Sequence, residues 1–399
     1  MLKKQVRSKV RMAATGLAFS AMVLGGGLLD PQPALAQQAV KVGFMLPYSG
    51  TYAALGEAIT NGFKMAIDEN GGTLGGREIA YFTVDDASDP SKAVDNANRL
   101  VKRDDVDVII GTVHSGVAMA LSKVARESDK LLIVPNAGAD EVTGVMCAPN
   151  VFRTSFSNWQ PSYAMGSVVA DRGHETAVTL TWKYAAGEQM VNGFKESFEA
   201  KGGKVLKELY LPFPSVEFQP LLAEIASLKP DAVYVFFAGG GAVKFVQDYA
   251  AAGLKERIPL YGSGFLTEGV LEAQGAAAAG IHTTLHYADS LDIERDKKFR
   301  AAYVKNFKKE PDVYAVQGYD AAQLLIAGAK AVNGDLSEKT KLYSAMRNAT
   351  IDSPRGVFTM SKANNPVQDI YLRRVEGNKN IVAAIASEAL EDPARGCKM

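Results

Sequence analysis

Hydrophobic positions in the first part of the chain follow two alternating patterns. Leu55, Ile59, Phe63 and Ile67 recur at the spacing of one face of a helix. Short apolar runs bounded by glycine, proline or aspartate lie on either side, which is typical of buried strands. The pattern predicts strands at 40–46, 78–84, 108–110 and 131–134, and helices at 54–69, at 93–102 and from 115 onward. A regular β-α repeat of this kind indicates a parallel sheet covered by helices on both faces.

The same repeat begins again near residue 177. The predicted strands are 177–181, 205–209, 232–237, 260–261 and 281–285. Segments with apolar residues at helical spacing separate them, except before the last strand. Three helices then follow one another at 296–307, 315–332 and 336–347, and late strands are predicted at 356–359 and 370–375. Because 399 residues exceed one ordinary core, the chain is predicted to form two α/β lobes with a ligand cleft between them.

The first 36 residues have the pattern of a secretory signal peptide. Five lysine or arginine residues precede an apolar stretch from Met12 to Leu29, and Ala34-Leu35-Ala36 is a small-x-small cleavage site. A membrane anchor is the alternative, but the short apolar core and the cleavage site argue against it. We therefore expect cleavage after about Ala36 and export of a soluble protein.

The charge of the chain argues against one class of function, and its cysteine content indicates a disulfide. The formal net charge is zero, and no block of lysine or arginine indicates binding to nucleic acid. Cys147 and Cys397 are the only two cysteines, and both follow the predicted cleavage site. In an oxidising compartment an even pair favours a disulfide, and two free thiols are the alternative.

Small-residue loops follow two neighbouring predicted strands, at 112–115 and 136–139. Open α/β sheets bind ligands at the carboxyl ends of their strands, so these loops are predicted to form half of a ligand site. Ser115 is predicted to cap the next helix, whose free N–H groups and positive dipole end suit a small carboxylate. His114 is a candidate donor to the same carboxylate, or else a solvated or structural histidine.

The motifs of catalysis and cofactor binding are missing from the sequence. It contains no GxSxG or HExxH motif, and its four histidines show no metal-ligand spacing. Asp85-Asp86 is interpreted as turn chemistry before Asp89-Pro90 rather than as a metal site. Gly239-Gly240-Gly241 fits no GxGxxG or Walker pattern and is interpreted as a tight turn. We expect a binding protein without cofactor or metal, not an enzyme.

Four segments together resemble one known family. They are GFMLPYSGTYAALGEAITNGFKMAIDENGG, TVDDASDPSKAVDNANRLV, VIIGTVHSG and LIVPNAGADEVT. In this order they are similar to the periplasmic branched-chain amino acid binding proteins of ABC transporters, which are type I solute-binding proteins. The resemblance implies two Rossmann-like lobes, ligand capture in the periplasm and delivery to a membrane permease. We expect a monomer; a ligand-sensing module for a receptor is an alternative of the same fold.

The resemblance also implies three crossovers between the lobes, near Phe152–Ser155, Thr284–Ala288 and Arg355–Phe358. It places the first lobe at 37–153 with 287–355 and the second at 154–286 with 356–385. Residues 386–399 are then a C-terminal tail. The family's usual short disulfide corresponds to Ser88 and His114, neither of which is cysteine, and this favours a separate Cys147–Cys397 bond.

Some of the family's ligand-binding residues have a match in this chain, and others do not. Ser115 matches the serine that holds the ligand carboxylate, and Asn136, Ala137 and Gly138 match its partner loop, where Gly138 replaces a threonine of amino-acid binders. Tyrosines of amino-acid binders correspond to Leu55 and to the loop at Ala238 and Gly239. The acid that receives the ligand ammonium should lie near 264–265, where the chain has none, and Glu268 is a few residues late.

These departures favour a ligand without an ammonium group. A buried ammonium without an acidic partner is costly, whereas aromatic side chains suit a flat apolar body. The candidate aromatic walls are Tyr48, Trp159, Trp182, Tyr184 and Phe265. Trp182 and Tyr184 could also be core residues, and Trp159 could pack near a crossover. The sequence thus predicts an aromatic or other hydrophobic carboxylate, such as a hydroxybenzoate or phenylpropanoid. A branched-chain or aromatic amino acid is the alternative if Glu268 reaches the cleft.

Overall fold

The structure, a computed structural model, describes residues 38–399. The predicted signal peptide, residues 1–36, lies outside the described residues. In the range 38–399, no helix combines the length and the hydrophobicity needed to cross a membrane.

Strands and helices alternate through most of the described chain. The strands are β1 (Val40–Leu46), β2 (Ile79–Asp85), β3 (Val108–Ile110), β4 (Leu131–Val134), β5 (Val151–Arg153), β6 (Thr176–Trp182), β7 (Lys204–Leu211), β8 (Ala232–Phe236), β9 (Leu260–Ser263), β10 (His282–Leu285), β11 (Ile351–Ser353), β12 (Gly356–Met360), β13 (Pro366–Glu376) and β14 (Lys379–Leu390). The α-helices are α1 (Ala53–Glu69), α2 (Pro90–Asn98), α3 (Ser115–Glu127), α4 (Asp140–Thr143), α5 (Trp159–Asp171), α6 (Ala185–Ala200), α7 (Gln219–Leu228), α8 (Gly239–Ala251), α9 (Leu271–Gln274), α10 (Glu294–Phe307), α11 (Val313–Ala331) and α12 (Lys339–Arg347).

Two sheets organise these elements. The first sheet has the order β2-β1-β3-β4-β5, and all of its strands are parallel. The second sheet has the order β11-β12-β13-β10-β9-β8-β6-β7, with β14 paired to β13. Its strands β7, β6, β8, β9 and β10 are parallel, whereas β13 runs antiparallel to β10, β12 and β14. The α/β class with two sheets agrees with the sequence prediction.

Several element boundaries differ from the sequence prediction. Helix α2 begins at Pro90 rather than at residue 93, because the Asp89 side chain caps it by accepting from the Ser91 N–H group at 2.9 Å. A π-helical turn at Arg99–Arg103 follows it. Helix α12 begins at Lys339, three residues later than predicted. Strand β14 was not predicted, because half of its side chains are exposed and only one is buried, which gives a weak hydrophobic alternation. It runs five residues into the expected C-terminal tail.

The predicted crossover segments lie close together in the fold. The Arg355 guanidinium donates to Asp320 Oδ2 at 2.8 Å and to the backbone oxygen of Thr154 at 2.7 Å, so it ties the last segment to the first. His286, from the middle segment, lines a common cavity with Arg355. The boundaries of the two lobes stay a prediction.

A disulfide joins the C-terminal end of the chain to the loop between α4 and strand β5 of the first sheet. Cys147 and Cys397 are bonded, with a Cα–Cα distance of 5.5 Å, which confirms the predicted pair. Nearby, Asp392 accepts a hydrogen bond from Thr143 Oγ1 at 2.5 Å and lies 3.4 Å from the buried guanidinium of Arg153. Covalent and polar contacts together hold the last residues in place.

Candidate ligand-binding site

A cavity lies between the carboxyl ends of the two sheets. The loops after β1, β3 and β4 reach it from the first sheet, and those after β6, β8 and β9 reach it from the second. This is the edge at which open α/β sheets bind ligands. The lining residues are Tyr52, Leu55, Val113, Ser115, Asn136, Gly138, Phe156, Asn158, Tyr184, Ala186, Phe236, Ala238, Phe265 and Tyr314.

Ser115 opens helix α3 but is not its cap. The cap is His114, whose ring Nδ1 accepts from the Gly116 N–H group at 3.1 Å, which corrects the prediction that Ser115 caps the helix. Ser115 Oγ accepts from the Asn158 side-chain amide at 3.2 Å, which leaves the serine O–H free to donate into the cavity. The positive end of the α3 dipole lies at the same place.

The loop after β4 supplies the facing groups. The N–H groups of Ser115 and Gly138 make no hydrogen bond with another residue of the described chain. A Cβ atom at Gly138 would lie 2.3 Å from Asn158 Oδ1 and 2.5 Å from Phe156 Cε2, so no threonine fits where amino-acid binders carry one. The side chain of Asn136 is fixed by a contact within the protein, because its amide donates to Gln317 Oε1 at 2.7 Å. Ser115 and Gly138 both line the cavity, so two unpaired backbone N–H groups and one hydroxyl belong to this part of its lining.

Aromatic rings form much of the remaining wall. The Phe156 and Phe265 ring centroids are 4.8 Å apart, and the Phe236 ring lies 6.1 Å from Phe265 at a nearly right angle. The Tyr314 ring is stacked 6.2 Å from Phe265. Edge and face contacts of this kind leave flat apolar surfaces that suit an aromatic ring.

The lining of the cavity carries no formal charge. None of its fourteen residues is Asp, Glu, Lys, Arg or His. Glu268, the acid that sequence comparison left open, lies outside the lining and is buried. Its Oε2 is 2.7 Å from Arg373 Nη1, and its Oε1 accepts from the Val313 N–H group at 2.7 Å. Glu268 is thus already neutralised within the protein and does not offer an acid to a ligand ammonium.

The structure separates the predicted site residues into two groups. Those that line the cavity are Leu55, Ser115, Asn136, Gly138, Tyr184, Ala238 and Phe265. Those that do not are Tyr48, His114, Ala137, Trp159, Trp182 and Gly239. For the first group, contact with a ligand stays a prediction. The second group lies outside this lining, and for these residues too, contact with a ligand stays a prediction.

Each tryptophan outside the lining has its own partners. Trp182 is fully buried behind the wall, where its indole N–H donates to the Ser215 carbonyl at 2.8 Å. Trp159 donates from its indole N–H to Glu196 Oε2 at 3.0 Å and stacks on Tyr163. Both satisfy their polar atom inside the fold and thus act as packing residues.

The other residues outside the lining also have local roles. The Tyr48 hydroxyl pairs with Thr60 Oγ1 at 2.8 Å, and the Ala137 N–H donates to the Thr112 carbonyl at 2.9 Å. Gly239 instead approaches the other side of the cleft, since a Cβ atom there would lie 2.3 Å from the Thr51 carbonyl oxygen.

Sequence patterns alone missed several lining residues. Phe236 ends strand β8, so the rule of strand carboxyl ends could have found it. Tyr52 and Phe156 lie in loops whose path sequence does not determine, and Asn158 directly precedes α5. Tyr314 lies in α11, which is distant along the chain from the carboxyl end of any strand. Its side chain reaches the cavity only because that helix packs beside it.

Burial lowers the pKa of His114 to about 4, because the ring is almost excluded from water and stacks on Tyr184 at 4.5 Å. The folded protein therefore binds the His114 proton more weakly than the unfolded chain, whose histidine pKa is about 6.5. Stability from neutral His114 is present above pH 6.5 and is lost as the pH falls toward 4. We expect this single group to remove about 2 kcal/mol between pH 7.5 and 5.

His114→Asn tests this expectation, because asparagine also caps helices but does not titrate. Urea unfolding at pH 7.5 and at pH 5 gives the change for each protein. Asp86, whose pKa burial raises to about 6, changes stability in the opposite direction in both proteins and cancels in the subtraction. Equal pH dependence in the two proteins would show that His114 does not titrate as described.

Comparison with known proteins places this geometry in context. A family model described as periplasmic binding protein matches residues 39–380. A solute-binding protein of an ABC transporter from R. palustris, solved in complex with benzoate, shares 55% sequence identity with this chain. The match covers 91% of this chain and 100% of that one, with a TM-score of 0.89.

Two further similar proteins differ in the ligands that their names state. A solute-binding protein of an ABC transporter from Rhodopseudomonas palustris BisB5, in complex with 3,4-dihydroxybenzoic acid, is 33% identical, covers 89% of this chain and 99% of its own, and has a TM-score of 0.84. The Leu/Ile/Val-binding protein homolog 6 of Brucella melitensis is 29% identical over 92% of this chain and 93% of its own length.

Proposed function

Because the chain belongs to the periplasmic binding protein family, we propose that it captures a small aromatic or other hydrophobic carboxylate for an ABC importer. The cavity carries this proposal: it joins N–H and O–H donors to aromatic walls and has no charged residue in its lining. Donors of this kind stabilise a carboxylate, whereas an ammonium group would find no acid in the lining to pair with. Benzoate and 3,4-dihydroxybenzoic acid in the two similar proteins support the same ligand class.

The ligand carboxylate, in this proposal, accepts from the N–H groups of Ser115 and Gly138 and from the Ser115 hydroxyl. The amino end of α3 adds favourable electrostatic potential without a cationic side chain. The apolar body of the ligand then packs among the rings of Phe156, Phe236 and Phe265. Binding needs no chemical step, which agrees with a family of transport proteins rather than enzymes.

Closure of the cleft around the ligand is the second part of the proposal. Tyr52 is the residue before α1, and Tyr184 is the residue before α6. Their hydroxyl oxygens are 3.1 Å apart. The Thr51 carbonyl faces Gly239 at the start of α8. Both contacts join the loops of one sheet to those of the other, as a closed hinge protein requires. Export by a signal peptide cleaved after about Ala36, action as a monomer and delivery to a membrane permease complete the proposal.

An amino-acid ligand is the competing function, since the Brucella relative is named a Leu/Ile/Val-binding protein homolog. Thermal unfolding of residues 37–399, refolded free of ligand, tests the two directly. The panel contains benzoate, hydroxybenzoates, cinnamate, leucine, valine and phenylalanine. A ligand at about 100 times its Kd stabilises the folded state by about 2.7 kcal/mol. We expect a rise in Tm with the aromatic acids; a rise only with amino acids would refute the proposal.

Ser115→Ala is expected to weaken binding of the carboxylate about tenfold, because it removes one hydrogen bond to a charged group. Isothermal titration calorimetry measures the change in Kd. The matched control is Ser122→Ala, because Ser122 is buried in the same helix and its hydroxyl has no partner within residues 38–399. Unchanged affinity in Ser115→Ala would remove this hydroxyl from the proposed site.

A further inference from the structure

The hydroxyl of Tyr314 is buried in the cavity without a partner. Tyr314 is 1% exposed and lines the cavity, yet its oxygen makes no hydrogen bond within residues 38–399. Buried polar groups are nearly always hydrogen-bonded, because an unpaired one loses its hydration without compensation. A hydroxyl that the protein leaves unpaired inside a ligand cavity therefore points to a polar group on the ligand.

Two other tyrosines of the lining together have one O–H hydrogen that is not used within the protein. The hydroxyls of Tyr52 and Tyr184 are 3.1 Å apart, and only one of their two hydrogens is used when one donates to the other. Burial is the main cause that raises the pKa of Tyr52, Tyr184 and Tyr314, so all three keep their protons at neutral pH. We call these three residues the tyrosine cluster.

The tyrosine cluster is built from different elements than the groups around Ser115. Tyr52 precedes α1, Tyr184 precedes α6 and Tyr314 lies in α11, whereas the donors proposed for the carboxylate come from α3 and the loop after β4. The cavity lining therefore contains two sets of O–H or N–H donors that come from different elements. One carboxylate occupies one set and leaves the other without an acceptor.

We infer that the tyrosine cluster is a second polar subsite, which takes a hydroxyl group on the aromatic ring of the ligand. The inference rests on the proposed function, because it assumes an aromatic acid with its carboxylate at Ser115. The ring hydroxyl accepts from the Tyr314 O–H, and its own hydrogen is free to reach the oxygens of Tyr52 and Tyr184. The protein then prefers a hydroxybenzoate to benzoate by about tenfold, the value of one neutral hydrogen bond.

Calorimetric titration of two proteins with four ligands tests this subsite. The ligands are benzoate and its 2-, 3- and 4-hydroxy derivatives, and the proteins are the natural chain and Tyr314→Phe. We expect at least one hydroxybenzoate to bind the natural protein about tenfold more tightly than benzoate does. Tyr314→Phe should lose this preference, which is measured as the ratio of the hydroxybenzoate affinity to the benzoate affinity of the same variant. Tyr249→Phe is the control, because the Tyr249 hydroxyl donates to the Ile258 carbonyl away from the cavity.

The outcomes separate failure of the subsite from failure of the proposed function. If benzoate binds the natural protein at least as tightly as every hydroxybenzoate, the subsite is refuted while the aromatic-acid function stands. The same holds if Tyr314→Phe keeps the full preference for a hydroxybenzoate. If no aromatic acid binds the natural protein, the proposed function fails and the subsite fails with it. The comparison of ligands on the natural protein needs no variant and holds even if Tyr314→Phe does not fold.

Discussion

Replacing Arg373 with methionine is expected to lower the free energy of unfolding by about 3–5 kcal/mol, the usual cost of leaving a buried charge unpaired. Arg373 and Glu268 have fully buried side chains, and the guanidinium also donates to the carbonyls of Gly264 and Tyr287 at 2.8 Å. Methionine leaves the Glu268 carboxylate without its partner. The loss should shrink at pH 5, because a carboxyl group with a raised pKa then binds a proton in the folded state.

Arg374→Met is the matched control for this substitution. Arg374 follows on the same strand, but both it and its partner Glu376 are about half exposed. Exposed pairs contribute little, so we expect a loss below about 1 kcal/mol. Urea unfolding at pH 7.5 measures both variants. Similar small losses in the two would mean that Glu268 is not locked by Arg373, and the argument that no acid serves a ligand ammonium would fail with it.

Gly239→Ala is expected to weaken ligand binding about 100-fold, because it obstructs closure of the cleft. The added Cβ atom would lie 2.3 Å from the Thr51 carbonyl oxygen. Under the proposed closure, this contact is made only when the two sides of the cleft meet. An obstruction of about 3 kcal/mol in the closed state alone reduces affinity by this factor. Calorimetry with the ligand found by thermal unfolding gives the change in Kd.

The glycine itself has φ +56°, so alanine there also strains the backbone in the open protein. Gly253→Ala controls for that strain, because Gly253 has φ +66° just after the same helix and open space around it. We expect Gly253→Ala to lose some stability and to keep its affinity. Equal affinity for Gly239→Ala and Gly253→Ala would contradict the closed contact between Thr51 and Gly239.

The sequence predicted the parts of the fold and site that depend on local periodicity. Regular apolar runs located most strands, and the rule of strand carboxyl ends pointed to Ser115, Asn136 and Gly138. Trp182 shows the limit of that rule. It ends strand β6 as expected for a site residue, but its ring turns into the core against Phe213 and Phe237. Side-chain direction at a strand end depends on packing partners that are distant in sequence.

The second half of the site depended on long-range contacts. Tyr314 enters the cavity because α11 packs on α1, about 260 residues earlier in the chain. The state of Glu268 depends on Arg373, more than 100 residues away. No spacing in the sequence indicates either contact, although the absence of an acid at 264–265 already favoured a ligand without an ammonium group.

The most direct test of a cavity that binds a carboxylate but no ammonium compares ligands that differ only in the ammonium group. Calorimetric titration of the ligand-free protein with 3-phenylpropanoate and phenylalanine gives one such pair, and 4-methylpentanoate and leucine give another. Burial of an unpaired ammonium costs several kcal/mol, so each acid should bind more than about 100-fold more tightly than its amino acid. Binding of phenylalanine or leucine as tight as that of its matched acid would contradict the account.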